Sequence, residues 1–155
     1  MIDRLQHEGH EEHKGHKEMP RAGAAANGEL KAHRAIEALA RDVIGAAIEV
    51  HRELGPGFPE SSYERALSIE LSSRNIRHAC QHQLRVRYKG HDVGEGRIDL
   101  LVAEQLVVEL KTVDSFCPIH GAQVVSYLRT TGLQLGLLLN FNTKVLKEGI
   151  RRIIL

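Results

Sequence analysis

The chain has 155 residues, 42% of them apolar and 26% charged, which is enough for one ordinary core and not for two. A formal charge of +1 excludes a general attraction to polyanions, so a nucleic-acid partner has to be met by a local basic face drawn from Arg85, Arg87, Lys89, Arg97, Arg129, Arg151 and Arg152. No apolar run has membrane-spanning length and the first residues are polar and His-rich, which predicts a cytoplasmic protein with no membrane partner; Cys80 and Cys117 form no CxxC and read as reduced thiols.

Residues 1–27 are rich in His, Glu, Lys, Gly and Ala, the composition of a disordered or loosely helical tail ahead of a folded domain at 28–155. His7, His10, His13 and His16 recur at intervals of three and could hold Zn²⁺, Ni²⁺ or Cu²⁺ loosely, although a solvated leader is the plainer reading. From Glu29 the pattern changes. Leu30, Ile36, Leu39, Val43, Ile44, Ala47, Ile48 and Leu54 recur at helical spacing, which predicts one long amphipathic helix broken at Gly55-Pro56-Gly57. Pro59 suits the first turn of a second helix that carries Tyr63, Ala66, Leu67, Ile69 and Leu71 to about Arg74.

The period then becomes that of strands. Ile76–Val86 alternates, Tyr88-Lys89-Gly90-His91 reads as a turn, and Gly94-Glu95-Gly96 is expected to bend or bulge the strand that follows. Ile98–Val102 and Leu106–Leu110 flank a polar turn and predict a hairpin centred on Glu104. Pro118 opens a third helix to about Thr131, with Ala122, Val125 and Leu128 expected inward. Leu133–Phe141 is almost wholly apolar, as a central strand parallel to its neighbour would be, and Ile150–Leu155 reads as a final edge strand. The order predicts an α+β or α/β sandwich, a mixed β-sheet flanked by helices.

The hairpin carries the chemistry. Its register would set Asp99 opposite Glu109 and place Glu109 and Lys111 on one face. Carboxylates about 5 Å apart repel unless a cation lies between them or one stays protonated. Charges inside strongly apolar strands are costly without a metal or a partner, so the pattern points to a divalent-metal site with an attached lysine; a structural Asp99–Lys111 ion pair is the plain alternative. Mg²⁺ suits carboxylate and water oxygens and serves phosphodiester hydrolysis, where a nearby lysine positions the water. Glu60 falls in the first turn of the second helix, where it also complements the helix dipole, and Tyr63 follows on the same face. Gln123 and Tyr127 lie one helical turn apart on the third helix.

Gly57-Phe58-Pro59-Glu60-Ser61-Ser62-Tyr63 matches a GxxExxY signature, and from about Leu39 to Leu155 the chain resembles the small "GxxExxY proteins" of the PD-(D/E)XK nuclease superfamily. Glu60, Asp99, Glu109-Leu110-Lys111 and Gln123-Val124-Val125-Ser126-Tyr127 agree with it in order. The resemblance implies a restriction-endonuclease-like core and a Mg²⁺-dependent nuclease, with Mn²⁺ able to substitute. It makes Asp99 and Glu109 metal ligands, with Glu60 and the Leu110 carbonyl in support, and Lys111 the residue that assists the water. Gln123, Tyr127 and Tyr63 would meet nucleic acid, most simply DNA, and a homodimer would serve to cut both strands. A catalytically silent nucleic-acid-binding or assembly module that keeps the fold is the alternative from another class.

Overall fold

The helical spacing of the first segment produces α1, Ala22–Leu54, in the computed structural model, which describes residues 22–155. The helix begins earlier than Glu29, because the Ala-rich stretch before Asn27 is a strong helix former and carries it outward. His7, His10, His13 and His16 lie outside the described residues. Ala40, Val43, Ala46, Ala47 and Val50 are buried, whereas Leu30, Ile48 and Leu54, which match the helical spacing, are exposed. Gly55 ends α1 in a left-handed conformation at φ 67, its N–H bonded to the His51 carbonyl at 2.8 Å.

The remaining elements follow as α2 (Glu60–Ser73), β1 (His78–Tyr88), β2 (His91–Val102), β3 (Leu106–Lys111), α3 (Pro118–Thr131), β4 (Leu135–Asn140), a 3₁₀ turn at Leu146–Gly149 and β5 (Ile150–Ile154). The sheet order is β1-β2-β3-β4-β5, antiparallel throughout except for the parallel β3–β4 pair. This is a mixed sheet flanked by helices, α+β, as the order of elements predicts. The fully buried β4 is parallel to its neighbour as its composition predicts, and β5 closes the edge.

One core lies between the sheet and α1 with α2, and a second lies between the sheet and α3. In α3 Leu128 is buried as expected, but its buried companion is Val124 in place of Val125, and Ala122 is exposed. The cause is Gly136 on β4, where an added Cβ would come within 2.5 Å of Val124 Cγ1, so the missing side chain makes the seat for Val124. The hairpin turn closes with Gln105 N–H on the Val102 carbonyl at 3.0 Å, and Ala103 and Glu104 take φ of 50 and 58, the primed-turn conformation of tight hairpins. Among the described residues no helix is long and apolar enough to cross a membrane.

Candidate active site

In a regular strand Ile98 and Leu100 would share a face. Here Ile98 packs in the core under α3 and Leu100 in the core under α1 and α2, so the alternation of β2 breaks at Asp99. Across the ladder, Cys80 pairs with Leu100 and His82 with Ile98, but Gln81 is skipped and its φ is 53, left-handed for a non-glycine in mid-strand. Such backbone costs about 1–3 kcal/mol and persists where the surroundings demand it. The β2–β3 register of Leu100↔Val108 still points Asp99 at Glu109, as the hairpin predicts, but the ladder stops there. The reason is that the Asp99 carboxylate itself accepts the next N–H, from Leu110, at 2.8 Å. Because the N–H and C=O of one residue leave a strand on the same edge, the Leu110 carbonyl also lies on the Asp99 side of β3.

Glu109 and Lys111 follow the alternation and face α3. Glu109 is 3% exposed, and Lys111 Nζ lies 3.3 Å from its Oε1. Lys111 also donates to Gln123 Oε1 at 3.1 Å, and Gln123 Nε2 donates to the Tyr127 hydroxyl at 2.9 Å. The one-turn spacing of Gln123 and Tyr127 therefore becomes a relay that holds the ammonium. The second Glu109 oxygen, Oε2, is buried with no hydrogen-bond partner among the described residues. Burial pushes the Glu109 carboxyl up to about 7, the charge of Asp99 adds to that rise, and Lys111 opposes it only in part.

Glu60 opens α2 directly after Pro59. The preceding loop is shaped by Gly57, whose φ of 110 suits glycine alone, and is anchored by Tyr63, whose hydroxyl donates to the Gly55 carbonyl and accepts from Phe58 N–H at 3.2 Å. Burial first, then the charge of Asp99, raises the Glu60 carboxyl, with Lys111 opposing, so Glu60 belongs to the same electrostatic cluster. Tyr63 does not. It is fully buried and stacks on Phe141 at 4.5 Å, so it fastens the loop from inside and is not available to touch nucleic acid.

Two residues that the sequence reading missed complete the surroundings. Glu64 lies one helical turn after Glu60, accepts a hydrogen bond from the Gln81 amide, and is raised by burial and by Asp99, with Gln81 and Arg97 opposing. The i, i+4 spacing of Glu60 and Glu64 was a visible signal for it. Gln81 carried none, because a single glutamine in a strand says nothing of its backbone. Gln81→Gly keeps the left-handed backbone and removes the amide. It is expected to leave thermal stability within about 1 kcal/mol and to reduce the rise in melting temperature caused by Mn²⁺; an undiminished rise would show that Gln81 does not support the carboxylates.

Among the described residues no three His, Cys, Asp or Glu side chains converge into a ready-made metal cage. Mg²⁺ asks for less, usually one or two carboxylates completed by waters and substrate phosphates. The orphaned Glu109 Oε2 beside Asp99 is an acceptor that such a cation would satisfy, so the donor set fits a hard divalent ion.

Comparison with curated proteins returns no match. Among solved structures, "Crystal structure of SSO0001" is similar over 61% of this chain at 19% identity and a TM-score of 0.47; the match spans 48% of that chain, about half its length. A family model described as PD-(D/E)XK nuclease superfamily matches residues 37–153, a span that holds Glu60, Asp99, Glu109, Lys111, Gln123 and Tyr127. With three quarters of its length covered in this way, the chain belongs to the PD-(D/E)XK nuclease superfamily.

Proposed function

We propose that the protein is a Mg²⁺-dependent phosphodiesterase that cuts nucleic acid, DNA in the first instance, with Mn²⁺ as a working substitute. The observation that carries this reading is the buried, unpartnered Glu109 Oε2 next to Asp99, with a lysine held at the same face. Burial of that kind opposes folding unless a cation is to be bound there. Asp99 and Glu109 would hold the ion, with Glu60 and the Leu110 carbonyl in reach of the same place. When bound, the ion supplies Lewis-acid neutralisation of the phosphate charge. Glu109 gives up its proton as the ion binds, which makes binding tighten as pH rises. Lys111, held between Glu109 and Gln123, orients the attacking water toward phosphorus and stabilises the negative charge that grows there.

Within the superfamily we read the chain as one of the GxxExxY proteins, a reading supported by the division of labour at Gly57–Tyr63, where Gly57 bends, Tyr63 anchors and Glu60 is presented to the cluster. A cytoplasmic enzyme acting as a homodimer would cut both strands of a duplex.

The test is incubation of metal-stripped protein with supercoiled, linear, branched and single-stranded DNA and with RNA, with and without Mg²⁺ or Mn²⁺. Metal-dependent cutting is expected. Binding without cutting in any metal, together with a melting temperature indifferent to Mn²⁺, would replace this reading with a catalytically silent binding or assembly module.

A further inference from the structure

Past Asp99 the sheet no longer accompanies β2. Its pairing with β3 ends at Leu100↔Val108, whereas β1 and β2 continue together through Leu84↔Gly96 and Val86↔Gly94 to Tyr88↔His91. A register shift next to Val86 and Arg87 marks a bulge near the tip, in the part of β2 where the glycines predict one. Every residue from Arg85 to Glu95 is exposed. This two-stranded arm stands out from the sheet beside the cluster.

Its two faces differ in kind. Arg85 and Arg87 oppose Glu95 and Asp92 on one face, where Asp92 lies 3.6 Å from Arg85 and 3.3 Å from Arg87. The other face carries Leu84, Val86 and Tyr88, and opposite Leu84 and Val86 the second strand supplies only Gly96 and Gly94. Glycine within a strand marks a place where another group approaches closely. At Gly96 the space is filled by Leu84 and Tyr127, whose Cδ1 and Cε1 an added Cβ would meet at 2.6 and 3.3 Å, so this face continues into the relay that holds Lys111. At its far end Tyr88 is 62% exposed, with the Lys89 ammonium 5.4 Å from its ring centre. Of the chain's three tyrosines, one is in the core and two are on this track. From Arg85 to Arg97 the arm carries two more cations than carboxylates, against +1 for the whole chain.

A face of glycine, aliphatic and tyrosine side chains has few groups that read base edges, as a β-ribbon in a major groove does. It has what unpaired bases need, aromatic platforms with cations alongside. We infer that the β1–β2 arm binds a single-stranded stretch of nucleic acid leading to the bond that is cut, with Tyr88 stacking on a base and Lys89 meeting phosphate. The inference rests on the nuclease reading and names the form of its substrate.

The test is binding of a labelled oligothymidylate and of a duplex of equal length to the full chain in EDTA, where no cutting occurs. Tyr88→Ala is expected to weaken single-strand binding roughly 5- to 100-fold with little change for the duplex, and Tyr88→Phe to restore it. Lys89→Ala is expected to lower the salt dependence of single-strand binding by about one phosphate contact. Unchanged single-strand affinity in Tyr88→Ala, or an equal loss for duplex and single strand, overturns the inference. If the wild type still cuts in metal, only the arm's role fails; if it neither binds nor cuts any nucleic acid, the nuclease reading fails with it.

Discussion

Lys111→Ala is expected to lower metal-dependent cleavage by about 10²–10⁴-fold, the usual contribution of one positioned acid–base group, while the protein stays folded. The Lys111 side chain is 16% exposed and its ammonium contacts run to Glu109 and, through Gln123, to Tyr127, so its loss empties the place where the water would be oriented. It also removes the charge that holds the Glu109 carboxyl down, so Glu109 stays protonated to higher pH in the variant. Stability should therefore fall by about 1–2 kcal/mol at pH 8, and by much less at pH 5, where Glu109 carries its proton in both proteins. Melting curves at the two pH values separate chemistry from folding. Full activity in the variant would remove Lys111 from the mechanism. An equal loss of stability at pH 5 and pH 8 would mean that the missing activity reports damage to the fold.

Glu109→Gln is expected to make the metal-free protein more stable at pH 8, by about 2–3 kcal/mol, and to abolish both cleavage and stabilisation by Mn²⁺. The folded-state carboxyl sits at about 7, above its ordinary value of 4.5, so between those values the folded form holds a proton that the unfolded form has lost. The stability this contributes is complete below about 4.5 and is lost as pH rises through about 7. Metal-free wild type should thus weaken across that window. The variant has no carboxyl to ionise there, and its curve should stay flatter; the value of about 7 already includes the opposing attraction of Lys111. For the wild type at pH 8, Mn²⁺ should restore stability by mass action. A lower melting temperature for the variant at pH 8 would mean that Glu109 is ionised and satisfied in the metal-free protein. Under the proposed function, Glu109 would destabilise the fold until the cation is bound.

The sheet and its helices follow from local signals. Gly55 and Pro59 bound the first two helices, Pro118 and Gly132 bound the third, and the apolar run ending at Asn140 forms a buried parallel strand, because capping, turn chemistry and period act over a few residues. Most of the candidate site was legible for the same reason: Asp99, Glu109 and Lys111 sit at fixed offsets in a hairpin whose register the turn sets, and Glu60, Gln123 and Tyr127 sit on helix faces that open toward it. What the sequence by itself determined was thus the order of elements and which charged groups could meet. Only the tertiary structure decided the rest. The broken alternation at Asp99, the left-handed Gln81 across from it, the withdrawal of Tyr63 into the core and the burial of Val124 in place of Val125 all depend on contacts between residues far apart in the chain. A strand's period states which side chains alternate, but where that period breaks is set by the layers packed against it, and those are assembled only in three dimensions.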